Sequence, residues 1–336
     1  MPVPNKWIKE VIGHKDTGKV PYNFMFSPPA RRLVESHYKI KSIERELGFP
    51  IRMTSPKTIK PLYAPPEKYG QEIQDEFGVV WSTSAIDRGS PIKPCLSEAD
   101  LSGYKFPDPD QPYRFDEIGD WLKRQGDSFL IIWIGDLWER ATFMRGMENL
   151  LFDTKLNPEF VKELLYGISG YITGTMRVLF SQFEFGGVAL SDDYGNQKQL
   201  VMNPADWRQF IKPLLKEIYN LAHENNRIVF HHSCGNNREI IPDLIEIGLD
   251  ILHPIQPEAM DIFALKKEFG KDLTFCGGLR TQDLLPRGTP EEIKKEVRML
   301  KEKMGKGGGY ILEPGITIQA DVPEENIIAM IDEARK

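Results

Sequence analysis

Several polar side chains follow directly on short apolar runs of the sequence, at the points where buried strands would end. They are Asp192, Asp193 and Tyr194 after GGVAL, His231, His232 and Cys234 after RIVF, His253 and Gln256 in LHPIQP, Cys276 and Arg280 in FCGGLR, and Glu313 in GGYILEP. Three of the six histidines and two of the three cysteines lie in these places. This clustering predicts a catalytic or ligand-binding site more strongly than any single residue does.

His232 and Cys234 form a His-x-Cys pair. An imidazole together with a thiolate is a donor set typical of zinc sites. Cys276, His253 or Glu313 could supply a third ligand, and we place Cys276 in the candidate metal set with the pair. The alternative is a histidine hydrogen-bonded at a strand end beside a small buried cysteine.

Asp192 and Asp193 are adjacent carboxylates at a predicted strand end. Neighbouring like charges disfavour double ionisation, so one member of such a pair can keep a raised pKa while the other stays ionised. That division suits acid–base catalysis. The alternative is that one carboxylate caps the turn that follows the strand.

Six apolar runs alternate with amphipathic helices from Ser128 onward. Their short apolar or β-branched cores, each followed by Gly or a polar residue, are typical of strands buried on both faces. The runs are FLIIWIG, GGVALSDDYG, RIVFHHSCG, DILHPIQP, LTFCGG and GGYILEPG.

The helices between these runs have recognisable first residues. A capping side chain precedes Pro at Asn157, Asn203 and Thr289, and Thr289 with Glu292 forms a capping box. After Pro158 an apolar residue recurs at every fourth position, which predicts one buried helix face. These residues are Phe160, Leu164, Ile168, Ile172 and Met176.

Six strand–helix units in order, with two earlier candidates, predict an α/β fold: a (β/α)8 barrel of the TIM type with an N-terminal extension. A doubly wound sheet is less consistent, because no Gly-x-Gly-x-x-Gly turn follows any run. In such barrels the active site lies at the carboxyl ends of the strands, where the polar residues above are found.

We predict one barrel domain over residues 1–336, in which residues 1–110 form the extension with early barrel elements and residues 128–336 form the clearest barrel units. Within the extension we predict a helix over residues 31–47 and a strand in DEFGVVWSTSA. The Pro-rich residues 90–113 either pack on the surface or form a lid.

Charge and composition exclude several classes of protein. The net charge is −6 and there is no Lys/Arg block, which argues against a nucleic-acid partner. Three cysteines at unrelated spacings predict no disulfide framework and a reducing compartment. The N-terminus has no signal-like apolar core, and no stretch approaches the roughly 18 apolar residues of a membrane span. We therefore predict a cytoplasmic protein with no membrane partner.

The chain from about residue 127 onward resembles the uroporphyrinogen decarboxylase superfamily, which includes corrinoid-dependent methyltransferases. The fold of that superfamily is a (β/α)8 barrel, which agrees with the pattern of runs. The blocks that carry the resemblance are ERATFMRGMENLLFD, LSDDYGNQKQLVMNPADWRQFIKPLLKEI, FHHSCGNNREIIPDLIEIGLDILHPIQP, FCGGLRTQDLLPRGTPEEIKKEV and GGYILEPGITIQADVPEENIIAM.

The resemblance favours the methyltransferases over the decarboxylases. Decarboxylases carry an N-terminal Arg-Gln-Ala-Gly-Arg segment that grips porphyrinogen carboxylates, and a Phe-Ser-Asp strand end whose Asp serves catalysis. The matching stretch SPPAR keeps only the second arginine, Arg31, and the nearest strand end is WST, with Thr83 in place of Asp. Methyltransferases of the family keep the His-x-Cys pair and add a late cysteine, where this chain has Ile316.

The chain is therefore similar to the first methyltransferases of O-demethylation systems, which pass a methyl group from a methoxylated aromatic to the Co(I) corrinoid of a separate carrier protein. No histidine here follows the Asp of an Asp-x-His-x-x-Gly corrinoid signature, so the resemblance implies a corrinoid held by the partner. Amines and smaller alcohols remain possible donors. The alternatives are a uroporphyrinogen decarboxylase and a non-catalytic barrel that binds a small molecule.

An aryl methyl ether is a poor methyl donor, because the departing phenolate must carry negative charge. Positioning and acid assistance are the means available to the enzyme. We expect Asp193 and His232, with Asp192, to be catalytic, either directly or through zinc held by His232 and Cys234. The residues expected to orient the substrate are His253, Gln256, Glu313, Tyr194 and Arg280, the last by pairing with an aromatic carboxylate.

Overall fold

The protein is described here from a computed structural model, which covers residues 4–336. Its strands are β1 (Ile51–Thr54), β2 (Glu72–Gln74), β3 (Val80–Ser82), β4 (Pro91–Lys93), β5 (Phe129–Gly135), β6 (Gly187–Ser191), β7 (Ile228–His232), β8 (Ile251–Ile255), β9 (Thr274–Leu279) and β10 (Tyr310–Pro314).

The helices are α1 (Pro4–Ile12), α2 (Pro28–Tyr38), α3 (Ile43–Glu46), α4 (Pro66–Tyr69), α5 (Ile118–Lys123), α6 (Trp138–Arg145), α7 (Met147–Leu156), α8 (Pro158–Gln182), α9 (Pro204–Asp206), α10 (Lys212–Glu224), α11 (Ile241–Glu246), α12 (Ile262–Phe269), α13 (Leu284–Arg287), α14 (Pro290–Gly305) and α15 (Glu324–Arg335). A π-helical turn, Trp207–Ile211, joins α9 to α10.

The larger sheet contains seven parallel strands, in the order β1-β5-β6-β7-β8-β9-β10. Its strands follow chain order, and helices connect the consecutive strands from β5 to β10, which is the arrangement of a TIM-type barrel. The predicted fold class is confirmed, and all six predicted C-terminal runs form barrel strands. A second, antiparallel sheet contains β2, β3 and β4.

The N-terminal segment over residues 20–27 lies beside β10. It makes two isolated parallel bridges, Tyr22 with Leu312 and Phe26 with Ile318, rather than a regular strand. The Asn23 N–H donates to the Leu312 carbonyl at 3.1 Å. Within residues 4–336 the barrel thus has seven regular strands, and this segment lines the edge next to the last of them.

The interior of the barrel has its own small hydrophobic core. Every barrel strand contributes at least one residue to it, and Ile8 of α1 belongs to the same cluster. The strand residues are Ile51, Phe129, Ile131, Ala189, Phe230, Ile251, Cys276 and Ile311. Apolar side chains therefore fill the barrel below the strand ends, and polar groups above them line the mouth.

Two predictions for the N-terminal third are corrected in detail. The single helix over residues 31–47 is wrong: α2 ends before Lys39, which has φ 53°, and α3 follows as a separate turn. The strand predicted in DEFGVVWSTSA exists as β3, but it belongs to the antiparallel sheet, where the Trp81 indole donates to Asp75 at 2.9 Å. WST is therefore not a barrel strand end and cannot correspond to a catalytic Phe-Ser-Asp.

The helix start signals are confirmed in two of three places. Thr289 and Glu292 form the complete capping box, and the Asn203 side chain accepts from the backbone N–H of Ala205. Asn157 does not cap α8 with its side chain, because its amide instead donates to Asp153 at 2.7 Å.

Helix α8 buries the predicted apolar ladder completely or nearly so. The Pro-rich segment packs closely against the outer face of α8 at two glycines. A Cβ on Gly167 would lie 2.2 Å from the Phe106 ring, and one on Gly174 would lie 2.5 Å from Pro109. This part of the segment therefore packs on the surface, which favours packing over a lid. No helix in the described part of the chain is long and apolar enough to cross a membrane.

Candidate active site

Neighbouring strands bring the predicted site residues to one edge of the barrel. Ser191 of β6 lies opposite His232 of β7, and His232 lies opposite His253 of β8. Because these strands are parallel, the loops that follow them leave from the same end of the barrel. Residues 40 or more positions apart in the chain, such as Asp193 and Cys234, are in contact there.

Asp193, His232 and Cys234 form what we call the outer cluster. The His232 Nε2 lies 3.5 Å from the Cys234 Sγ and 3.6 Å from the Asp193 Oδ1. The same Asp193 oxygen accepts the backbone N–H of Cys234 at 2.8 Å, which holds the carboxylate in place. All three side chains are partly exposed, so a ligand can reach them from the mouth.

His253, Cys276 and Glu313 form the inner cluster, whose three residues are all buried. The Cys276 Sγ donates to the Glu313 Oε2 at 3.1 Å, and the His253 Nε2 lies 3.8 Å from that oxygen. The Asn23 side chain, from the segment beside β10, lies close enough to Glu313 to influence its pKa. Cys276 belongs as well to the hydrophobic core inside the barrel, so the inner cluster lies directly above that core.

One hydrogen bond joins the two clusters. The His232 Nδ1 and the His253 Nδ1 are 2.9 Å apart. Cys276 thus lies beside His253 and Glu313. This corrects the predicted metal set, because the ligand atoms of His232, Cys234 and Cys276 do not all lie within 4.8 Å of each other. The third residue beside the His-x-Cys pair is Asp193.

The spacing of the outer cluster fits a tetrahedral zinc ion. With metal–ligand distances of about 2.0 Å for nitrogen and about 2.3 Å for sulfur, the ligand atoms around such an ion stand about 3.3–3.6 Å apart. The observed separations of 3.5 Å and 3.6 Å lie at the upper end of that range. Three protein ligands with open access on one side match a catalytic rather than a structural zinc site.

The loops after β6 and β7 cross backbone to backbone. A Cβ on Gly235, whose φ is 79°, would lie 2.4 Å from the Gly195 carbonyl, and a Cβ on Gly195 would lie 2.6 Å from the Asn236 nitrogen. The Gln256 Oε1 accepts the Gly235 N–H at 2.6 Å. These two glycines let the loops approach closely enough to bring Cys234 against Asp193.

Asp192 is enclosed by donors. Its Oδ1 accepts the backbone N–H groups of Leu137 and Glu139 at 3.0 Å and 2.8 Å, at the start of α6. Its Oδ2 accepts the Tyr194 hydroxyl at 2.9 Å. Asp192 and Tyr194 are both fully buried, so they do not line the mouth. The adjacent carboxylates are therefore divided, with Asp192 on a helix N-terminus and Asp193 in the outer cluster.

The remaining predicted residues lie in different surroundings. Gln256 is buried against the backbone of the loop after β7. The Nδ1 of His231 is 2.6 Å from the Tyr219 hydroxyl, on the helix side of β7. Arg280 is partly exposed and forms ion pairs with Asp283 at 3.0 Å and Glu296 at 3.3 Å. The structure does not bring the Arg280 guanidinium into either cluster.

Sequence reasoning overlooked two residues, Glu139 and Arg88. Glu139 is the second residue of α6 and accepts a hydrogen bond from the Ser191 hydroxyl at 3.2 Å. Arg88, from the loop between β3 and β4, pairs with Glu139 at 3.0 Å and lies near enough to influence Asp193 and His232 electrostatically. The signal for Glu139 was present, because DLWE follows FLIIWIG as directly as the other polar residues follow their runs.

Burial determines the protonation states of the site. Burial, with the charge of Asp136, raises the pKa of Glu139 to about 7, and burial raises the pKa of Glu313 to about 8. Burial lowers the pKa of His232 and raises the pKa of the Cys234 thiol. At neutral pH the site therefore contains neutral imidazoles and two carboxyl groups, Glu139 and Glu313, that can hold a proton.

The SPPAR stretch contains one arginine, Arg31, and not the pair that the resemblance associates with decarboxylases. Arg31 lies on α2, where it pairs with Glu44 at 2.6 Å and Glu35 at 3.1 Å. Both partners belong to the N-terminal helices, so this arginine is occupied away from the two clusters.

Comparisons with known proteins agree on a family. The family model described as uroporphyrinogen decarboxylase (URO-D) matches residues 77–336. A methylated-thiol–coenzyme M methyltransferase of Methanosarcina mazei is 22% identical over 158 residues, which are 47% of this chain and only 41% of that protein. The uroporphyrinogen decarboxylase of Pseudoalteromonas atlantica is 27% identical over 264 residues, covering 73% of this chain and 70% of that protein.

A solved structure shares the whole fold. A methyltransferase from Methanosarcina mazei superposes with a TM-score of 0.73 over 98% of both chains, at 18% sequence identity. At that identity the likeness concerns the fold alone.

Proposed function

The chain belongs to the uroporphyrinogen decarboxylase family, and from that premise we propose that it is a methyltransferase acting with a corrinoid carrier protein. It would move the methyl group of a small methylated compound, a methoxylated aromatic first among the candidates, to the Co(I) corrinoid of that separate protein. The observation that carries the proposal is the outer cluster of Asp193, His232 and Cys234 at the barrel mouth.

Two further observations support a methyltransferase over a decarboxylase. The SPPAR stretch lacks the first of the two arginines that grip porphyrinogen carboxylates in the decarboxylases. Its own arginine, Arg31, is paired with Glu44. A porphyrinogen with many carboxylates would also meet carboxylates at the mouth, since Asp136 and Asp193 both lie close enough to Glu139 to raise its pKa. A neutral ether or a compound with one carboxylate suits these charges better.

In the proposed reaction the methyl–oxygen bond breaks, the methyl group passes to the nucleophilic Co(I) of the carrier, and the departing oxygen retains the electron pair. That oxygen needs a proton or a cation. Glu139 suits this role, because its pKa of about 7 keeps it partly protonated at neutral pH. Arg88, 3.0 Å from Glu139, would hold its carboxyl in position and pair with an anionic substrate group.

Zinc, if bound, would be held by Asp193, His232 and Cys234 and would supply Lewis acidity toward the ether oxygen. The same three residues position the substrate oxygen beside Glu139 in this proposal. Asp192 and Tyr194 act as positioning residues: they fix the start of α6, from which Glu139 projects. Gln256 holds the loop that carries Cys234.

The test is an anaerobic absorbance assay. The purified protein is mixed with a Co(I) corrinoid protein and, separately, with methoxylated aromatics, methylamines and methanol. We expect loss of the Co(I) spectrum with the aromatic ethers and formation of the demethylated phenol. No change with any donor, using a carrier shown to be active with its own methyltransferase, would refute the proposal.

Uroporphyrinogen decarboxylation is the second candidate, because three proteins with that name match at 25–27% identity over 70–73% of this chain. It predicts that the protein alone converts uroporphyrinogen to coproporphyrinogen without a carrier. The same preparation can be assayed for this reaction by chromatography of the oxidised porphyrins.

A further inference from the structure

The inner cluster has the chemistry of a metal site in its own right. It combines an imidazole, a thiol and a carboxylate whose ligand atoms lie within 4.8 Å of each other. Two of its atoms, the His253 Nε2 and the Glu313 Oε1, are buried and have no hydrogen-bond partner among residues 4–336. His253 and Glu313 are 0% and 3% exposed, so no part of the solvent surface satisfies them. Buried donors and acceptors without partners are costly unless something binds them.

The two clusters share a hydrogen bond that constrains both. A histidine must be neutral to bind a metal, and a neutral imidazole carries one proton on one of its two nitrogens. Between the His232 Nδ1 and the His253 Nδ1, which are 2.9 Å apart, one nitrogen donates and the other accepts. The donating ring has its Nε2 free, whereas the accepting ring carries its proton on Nε2.

Each cluster uses the Nε2 of its own histidine. The His232 Nε2 faces Cys234 and Asp193, and the His253 Nε2 faces Glu313 at 3.8 Å. Only one of these nitrogens has a free lone pair at a time. A metal at the outer cluster therefore requires the tautomer in which the His253 Nε2–H points at Glu313.

We propose that His253, Cys276 and Glu313 form a second, inner metal site that competes with the outer cluster for a single divalent ion of the zinc type. The shared proton makes the two sites alternatives. In the intact protein the ion occupies the accessible outer cluster, and loss of the outer thiolate moves it inward. The competition between the two sites rests on the outer metal site of the proposed function. The inner site itself does not depend on methyl transfer.

The experiment is a titration of the metal-free protein with Co(II), read by the thiolate-to-cobalt absorption band and by the bound metal per chain. The wild type should bind one equivalent. Cys234→Ser should still bind one equivalent with a thiolate band, now from Cys276, whereas Cys276→Ser should keep the wild-type spectrum. The double variant should lose the thiolate band entirely.

Cys95→Ser is the matched control, because Cys95 is a partly buried thiol that belongs to neither cluster. It should leave stoichiometry and spectrum unchanged, and circular dichroism with a thermal midpoint would verify that each variant is folded. Ala replaces Ser at position 276 if the Ser variant does not fold.

Three results would overturn the proposal. Two equivalents bound simultaneously by the wild type would show that the histidine pair imposes no exclusion. Absence of a thiolate band in Cys234→Ser would show that Cys276 binds no metal. Persistence of the band in the double variant would show that it comes from a thiolate outside both clusters. All three results are independent of whether any donor is demethylated, so failure of the methyl-transfer assay is a separate outcome.

Discussion

The outer and inner clusters contain the same three kinds of side chain in different surroundings. Each has one histidine, one cysteine and one carboxylate, and the histidines are hydrogen-bonded to each other. The outer residues are partly exposed at the end of β7 and in the loops after β6 and β7, whereas the inner residues are buried within β8, β9 and β10. Accessibility rather than residue type therefore separates a candidate reaction site from the groups that support it.

The contrast predicts a large effect for His232. His232→Ala removes the central side chain of the outer cluster and the partner of His253, so methyl transfer should fall by about 1,000-fold, in the range of a lost acid or electrophile. His37→Ala is the matched control, because His37 is an exposed histidine paired with Glu324 on the surface. Equal single-turnover rates for the wild type and His232→Ala would remove the outer cluster from the mechanism.

The next effect concerns two carboxyls with raised pKa values, Glu139 at the mouth and Glu313 in the inner cluster. If protonated Glu139 donates to the departing oxygen, its active form decreases as the pH rises through about 7, so the rate should decline above that pH. A carboxyl with an ordinary pKa would be ionised well below that point. Glu139→Gln should lower the rate about 100-fold and abolish the decline.

Glu313→Gln is the comparison for that pH profile. Its carboxyl has a pKa raised to about 8 but belongs to the buried inner cluster. The alkaline decline should remain near pH 7 in this variant. A profile that moves with Glu313 and ignores Glu139 would place the titrating group in the inner cluster.

The adjacent carboxylates Asp192 and Asp193 should differ in how much they contribute to stability, and this effect is smaller. Asp192→Ala leaves the Leu137 and Glu139 N–H groups and the Tyr194 hydroxyl without their acceptor, so the free energy of unfolding should fall by about 1–3 kcal/mol. Asp193→Ala should change stability by less than about 1 kcal/mol and act mainly on activity. Urea unfolding of the two variants separates these effects, and equal losses would contradict the division of roles.

The smallest effect is expected at Arg280. Its guanidinium is engaged with Asp283 and Glu296 near the surface, where ion pairs contribute about 0–1 kcal/mol. Arg280→Ala should therefore change the KM for a carboxylated methoxyaromatic less than about threefold. Arg88→Ala, which removes the guanidinium beside Glu139, should raise it more. A large KM increase in Arg280→Ala alone would restore the substrate-binding role predicted from the sequence.

The barrel could be predicted wherever a run was long, apolar and followed by a polar residue. That describes β5 to β10, and the helix ladder on α8 is equally clear. Strand β1 has four residues, two of them Arg52 and Thr54, so its apolar signal is too short to distinguish from a loop. The strand around Trp81 was visible, but periodicity does not state which sheet a strand joins.

The candidate site could be predicted as a set of residues but not as a geometry. Strand ends identified the six side chains of the two clusters. Which of the two clusters each residue joins depends on which strands are neighbours in the barrel and on how far each loop extends above it. For that reason Cys276 was assigned to the His-x-Cys pair, although it lies with Glu313. Arg88 reaches the mouth from a separate sheet, which no local pattern indicates.

The N-terminal segment beside β10 has a consequence for folding. Tyr22 pairs with Leu312 there, and on the surface Tyr38 bonds to Asp332 across 294 residues of sequence. Contacts between such distant positions form late and slowly, because a long loop must close before they contribute. Until then the β10 edge of the parallel sheet is open and able to pair with other chains. The nascent protein should accordingly depend on chaperones more than its finished surface would indicate.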